Sequence, residues 1–145
     1  MAVDAFLKLD GIVGEHKGEV PLESFSWGVS NSATFCGGGG GAGRVSFQDF
    51  SFTSKVGSQS PRLFLTCAAG QHIKKAILSC RTVRDEQVEI TFSNVLISSY
   101  KEDLSILHKV DEANVPLEFV SLNFAKMEVR VGGDLTGFDI ICRGT

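Results

Sequence analysis

The chain has 145 residues, the size of one domain, and reads as a single unit over 1–145. Its 14 Lys and Arg against 17 Asp and Glu leave a formal net charge of −3, which excludes the broad basic footprint of a nucleic-acid binder. With 43% hydrophobic and 21% charged residues the chain is globular rather than disordered, and it has no run of 18 apolar residues that would insert in a membrane.

The pattern along the chain is mostly period two. Ala5, Leu7 and Leu9 alternate with Phe6 and Lys8 in an opening strand. That start carries Asp4 and Asp10 and no basic lead into an apolar stretch, so no secretory signal peptide is expected. Residues 23–30 read as one half-buried strand, with Phe25, Trp27 and Val29 on the buried face and Ser24, Ser26, Gly28 and Ser30 on the other. Over 44–54, Val45 and Phe47 share one phase and Phe50 and Phe52 the other. A bulge or bend near Gln48 and Asp49 is therefore expected.

One helix is signalled at about 60–69. Ser60 is placed to cap it, Pro61 to open it and Gly70 to end it in the left-handed conformation; Leu63, Phe64, Cys67 and Ala68 supply the apolar stripe. On this reading Leu63 and Phe64 anchor the helix. Strands resume at 74–83 and 87–98, the latter switching phase between Phe92 and Val95, with a polar turn at Arg84, Asp85 and Glu86. Residues 99–115 are expected to form a loop with at most a short helix. A long strand follows at 117–131 with a phase switch near Ala125, and a last one at 138–143. Seven or eight strands and one helix without βαβ alternation argue for a mainly β fold, an antiparallel β-barrel or sandwich with one flanking α-helix. Eleven of the 13 aromatics are Phe, which suits a dry, sheet-rich interior.

Chemistry-bearing motifs are sparse. Cys36, Cys67, Cys80 and Cys142 stand 31, 13 and 62 residues apart and match no zinc spacing, so reduced thiols and no metal are expected. The run Gly37, Gly38, Gly39, Gly40, Gly41, Ala42, Gly43 meets a G-x-G-x-x-G pattern only trivially, because a strand and not a helix follows it. It reads as a tip joining two strands, or as a place where another chain's backbone must come close. No nucleophile beside a base is found. Asp85-Glu86 and Glu102-Asp103 read as solvated surface, and His72, just past the helix, as a partner for helix carbonyls. No enzyme and no cofactor are indicated.

The stretches MAVDAFLKLDGIVGE (1–15), SFSWGVS (24–30), GGGGGAGRVSFQDFSFT (37–53), SPRLFLTCAAGQHIKKAIL (60–78), NVLISSY (94–100) and VSLNFAKMEV (120–129) together resemble the haemolysin-coregulated protein family, the tube protein of bacterial type VI secretion. The resemblance implies a β-barrel of two sheets with one flanking helix. It also implies homo-hexameric rings that stack into a tube, with spike and contractile sheath proteins as partners. Small effector proteins ride in the lumen, and export needs no signal peptide. It implies no enzymatic activity unless a toxin domain is appended. Two regions depart from the family pattern: KEDLSILHKVDEANV at 101–115 in place of a Gly/Ser-rich loop, and the end from Gly132 onward.

A face of small hydroxyl residues would give such a lumen a smooth polar wall. Ser24, Ser26 and Ser30 are the first candidates for the channel and its cargo, with Ser46, Ser121 and Asn123 behind them; Gly37 to Gly41 and Gly43 are candidates for ring or stacking contacts. Ordinary solvent exposure of the serines explains their pattern equally well. The competing functions are a monomeric β-barrel binding a small apolar ligand and a hydrolase.

Overall fold

The computed structural model describes residues 5–14, 18–31, 45–81, 86–103, 116–132 and 134–139. These form β1 (Ala5–Leu9), β2 (Val20–Pro21), β3 (Ser24–Ser26), β4 (Val29–Asn31), β5 (Val45–Phe47), β6 (Phe50–Lys55), α1 (Ser60–Ala69), β7 (His72–Arg81), β8 (Gln87–Asp103), β9 (Leu117–Val131) and β10 (Asp134–Asp139). Eight strands make one antiparallel sheet in the order β2-β1-β7-β8-β9-β6-β3, with β10 on β9, and β4 pairs with β5 in a small second sheet.

The large sheet closes on itself. Its two ends, β2 and β3, are neighbouring parts of one short stretch of chain. Val20 and Pro21 pair with β1, and Ser24 to Ser26 pair with β6. Between them the Leu22 amide donates to the Ala5 carbonyl (2.9 Å) and the Glu23 amide to the Thr53 carbonyl (2.7 Å). Closure leaves the sheet few open edges, the usual solution for an antiparallel barrel.

The barrel is filled by aromatic rings. Phe50 and Phe92 lie 4.9 Å apart between centroids, and Phe92 and Phe124 4.7 Å; Phe50 and Phe92 are wholly buried. The expected phase switches are present, and they line up. Buried positions run Ile73 then Ala76 on β7, Phe92 then Val95 on β8, and Phe124 then Met127 on β9, each a step of three instead of two. Ile73 pairs with Val95 and Val95 with Phe124; Ala76 pairs with Phe92 and Phe92 with Met127. Three strands therefore change faces at one level, forming a crease across the sheet. A slip in one strand alone would turn its apolar set outward, whereas a shared slip keeps every set inside. Asn94 sits in the crease with φ 54°, a left-handed conformation that Asn tolerates better than most residues.

The bend expected at Gln48 and Asp49 is also found: β5 leaves the barrel to pair with β4, and β6 stays in it. β10 takes the vacated place, pairing with Lys126 to Val131 of β9, while β6 holds Leu117 to Leu122.

Several boundaries differ from the sequence reading. Residues 23–30 are not one strand: the chain breaks at Trp27 and Gly28, so β3 and β4 belong to different sheets, and Trp27 and Val29 are 38% and 51% exposed. Their apolar character does not bury them because the chain leaves the barrel there. The 99–115 loop begins later than expected, since β8 runs on to Asp103 in pairing with β9; residues 104–115 lie outside the described residues. The last strand is placed earlier, at Asp134–Asp139, and β7 starts at His72.

The helix is where the sequence puts it, with one face misjudged. Leu63 and Thr66 are buried and Cys67 half-buried, whereas Phe64 is 56% exposed and Ala68 is exposed. The stripe that faces the barrel is thus Leu63, Thr66 and Cys67, a spacing of three and four. Gln59 rather than Ser60 holds the cap position, and Pro61 lies in the first turn. Gly70, at φ 63°, ends the helix as expected, with the Gly70 and Gln71 amides donating to the Cys67 and Thr66 carbonyls.

Candidate functional site

On the outer face of β3, β6, β9 and the far half of β8, alternation sets small hydroxyls outward opposite the buried Phe50, Phe52 and Val120. The register turns them into two transverse rows. Ser26, Ser51, Ser121 and Ser99 are successive cross-strand partners, and so are Ser24, Thr53, Phe119 and Lys101. Together they line a shallow trough of about 540 Å³. Ser51 and Ser121 hydroxyls bond each other at 3.1 Å. At the upper end, where β5 turns away from β6, the Asp49 carboxylate accepts from Ser98 Oγ (2.5 Å) and Asn123 Nδ2 (3.0 Å).

Of the candidate residues, Ser24, Ser26 and Ser121 line the trough and Asn123 borders it through Asp49. Ser30 and Ser46 are exposed but do not join them: they are cross-strand partners of each other on the β4–β5 ribbon. Gly37 to Gly41 and Gly43 lie outside the described residues. Ser51, Thr53, Ser99, Lys101 and Phe119 complete the trough and were not singled out from the sequence. Ser51 and Thr53 were within reach of the same alternation argument, in F-S-F-T. Ser99 and Lys101 were hidden by reading 99–115 as a loop.

A second polar cluster lies inside. Glu118 is wholly buried on the inward phase of β9, below Val120 and Leu122. Its Oε1 accepts from Ser60 Oγ (2.5 Å) and its Oε2 from Ser54 Oγ (2.6 Å) and Gln59 Nε2 (2.8 Å); Tyr100 Oη, whose one proton is shared with the nearer Glu102 carboxylate, lies 3.0 Å from Oε1. Three donors and the shared one on a single carboxylate satisfy a group that would otherwise be costly to bury. They also tie β6, the start of α1, β8 and β9 together. Burial, and then the hydrogen bond to Glu102, push the Tyr100 phenol well above its ordinary value. Outside this cluster, α1 and β8 leave an apolar hollow with Pro61, Phe64 and Tyr100 around Glu102.

Cys67 and Cys80 are half-buried free thiols, and burial raises the pKa of Cys80, which keeps it from being a ready nucleophile. His72 Nδ1 meets the Asn94 side-chain oxygen across the strands (3.0 Å) rather than helix carbonyls, because β7 begins at His72 itself. Among the described residues no group of three His, Cys, Asp or Glu side chains could hold a metal ion, and no helix is long and apolar enough to cross a membrane.

A family model described as "Type VI secretion system effector, Hcp" matches residues 6–131. Protein hcp1 of Pseudomonas aeruginosa is 39% identical over 139 residues, covering 89% of this chain and 83% of that protein. Among solved structures, Hcp1 from Salmonella typhimurium superposes with a TM-score of 0.79 at 30% identity, over 98% of this chain and 97% of that one. A type VI secretion system effector from Yersinia pestis gives 0.74 at 25% identity, over 94% and 99%.

Proposed function

This chain belongs to the Hcp family of type VI secretion tube proteins, and from that premise we propose that it assembles into hexameric rings that stack into the inner tube and carry small effectors in the lumen, with the hydroxyl trough facing the channel. The observation that carries the reading is the pair of transverse rows across β3, β6, β9 and β8, in which Ser and Thr hold six of eight positions. Short hydroxyls leave a bore wide and offer adaptable hydrogen bonds to varied cargo. A closed ring needs a head-to-tail contact between unlike surfaces, and the exposed Trp27 and Val29 beside the β4–β5 ribbon are material for it. The glycine segment 37–43 is assigned to contacts between stacked rings. Sheath and spike proteins of the secretion machine are the further partners; the protein is cytoplasmic before firing and leaves the cell through the machine. No catalytic role is assigned.

The rival reading, a barrel enclosing a small apolar ligand, is disfavoured by Phe50, Phe92, Leu78 and Leu122, which already fill the interior with no exposed surface. Light scattering on the eluting protein tests assembly: six copies are expected, and a monomer at high micromolar concentration and low salt overturns the proposal. Co-expression of an effector with Ser26→Arg tests the wall. Rings of unchanged size that no longer retain the effector are expected, because Ser26 is exposed. Retention as before removes Ser26 from the cargo path.

A further inference from the structure

Lys101 breaks the pattern of its surroundings. It stands in the second row of the trough, opposite Phe119, which is 40% exposed, in a row otherwise uncharged, with Asp103 two residues further along the same face of β8. Lys55, two residues beyond Thr53 on β6, is engaged: its Nζ lies 3.5 Å from Glu23. Among the described residues no carboxylate or hydrogen-bond acceptor pairs with Lys101. The next residue, Glu102, takes the opposite face of β8, where its carboxylate accepts from Tyr100 Oη and borders the hollow beside Phe64. An unpaired ammonium at the end of an apolar stem, an exposed ring beside it and rows of hydroxyls leading away form a surface with a definite complement.

From this juxtaposition we infer that the trough takes an acidic, partly apolar polypeptide segment of the cargo: a carboxylate on Lys101, an aliphatic or aromatic side chain on Phe119, and backbone polar groups on Ser24, Ser26, Ser51 and Ser99. The inference rests on the trough being the cargo wall, and it adds the chemistry of what lies against it. Charge selects the segment, because a basic one would set like charges together at Lys101. The apolar contact adds area that salt does not screen.

The experiment uses assembled rings of the full chain and two labelled peptides of equal length, one alternating Glu and Leu, the other Lys and Leu, followed by fluorescence anisotropy. The acidic peptide binds, the basic one does not, and affinity falls as salt is raised. Lys101→Gln weakens the acidic peptide by about fivefold, the upper range for an exposed ion pair, and Lys101→Arg retains it. Equal binding of the two peptides, or an unchanged affinity in Lys101→Gln, overturns the inference. Ser26→Arg separates this failure from that of the wider reading. If it releases a co-expressed effector while Lys101→Gln is silent, the trough remains the cargo wall and the acidic class is wrong; if it too is silent, the wall itself is misplaced.

Discussion

Ser60 Oγ donates to Glu118 Oε1 at 2.5 Å, so the first residue of the helix is bonded to the second residue of β9. Proline then follows at Pro61, and the helix leaves this fixed point in one direction. The attachment is polar at the start of α1 and apolar, through Leu63, one turn on.

Glu118→Ala is therefore expected to destabilise the fold by about 2–6 kcal/mol, since two or more buried donors among Ser54, Gln59 and Ser60 lose their acceptor at about 1–3 kcal/mol each. Urea denaturation followed by circular dichroism measures it. A loss below about 1 kcal/mol would show that water replaces the carboxylate freely.

On the helix, Leu63→Ala should cost about 2–5 kcal/mol and Phe64→Ala under about 1 kcal/mol, because the first side chain is wholly buried and the second mostly in solvent beside Tyr100. The same denaturation midpoints compare them directly, and a reversed order would mean that Phe64, not Leu63, seats the helix.

The contrast between those neighbours shows how far periodicity carries. Spacing of apolar residues located the helix, its proline and its glycine end, but Phe64 and Leu63 are adjacent and spacing alone does not say which points inward. The barrel decides, and its contact line runs through Thr66. In the same way the alternation at 23–30 was correct for Ser24, Phe25 and Ser26 and failed at Trp27, where large size suggested burial. A strand that changes sheets carries its side chains out with it, and no local property of Trp27 announces that. The phase switches at Phe92 and Ala125 were legible because a step of three in a period of two is visible in one strand. Their alignment into a crease needs the register between strands, which is a tertiary fact. Glu118 was legible in principle, sharing the phase of Val120 and Leu122, yet a charged residue on a buried phase reads as a strand end until its donors are known.

At the crease, Asn94→Val should cost about 1–2 kcal/mol, the penalty for placing a β-branched residue at φ 54°, while Asn94→Gly should leave stability nearly unchanged. Both variants lose the bond to His72, so the difference between them isolates the backbone term. Thermal melts of the pair provide the comparison, and equal losses would assign the position to the side chain instead.

Tyr100 is the only tyrosine of the chain, which makes its ionisation directly readable. Its phenol is held above the ordinary value near 10, by burial first and by Glu102 second. The folded state thus keeps a proton that the unfolded state releases. This contribution is fully present below about pH 10 and is lost as pH climbs above it. Ultraviolet titration should show phenolate only as the protein unfolds, and Tyr100→Phe should flatten the alkaline loss of stability. Phenolate appearing near pH 10 in the folded protein would contradict this.

The stretch Val20 to Ser26 holds both margins of the large sheet, β1 through its first residues and β6 through its last. The barrel is in this sense buckled rather than woven shut: seven consecutive residues act as a clasp between strands that are some forty positions apart in the chain. A change within the clasp acts on both margins at once, so two substitutions there, one toward each margin, should not sum as independent losses. Once either has opened the clasp, the second has little left to release.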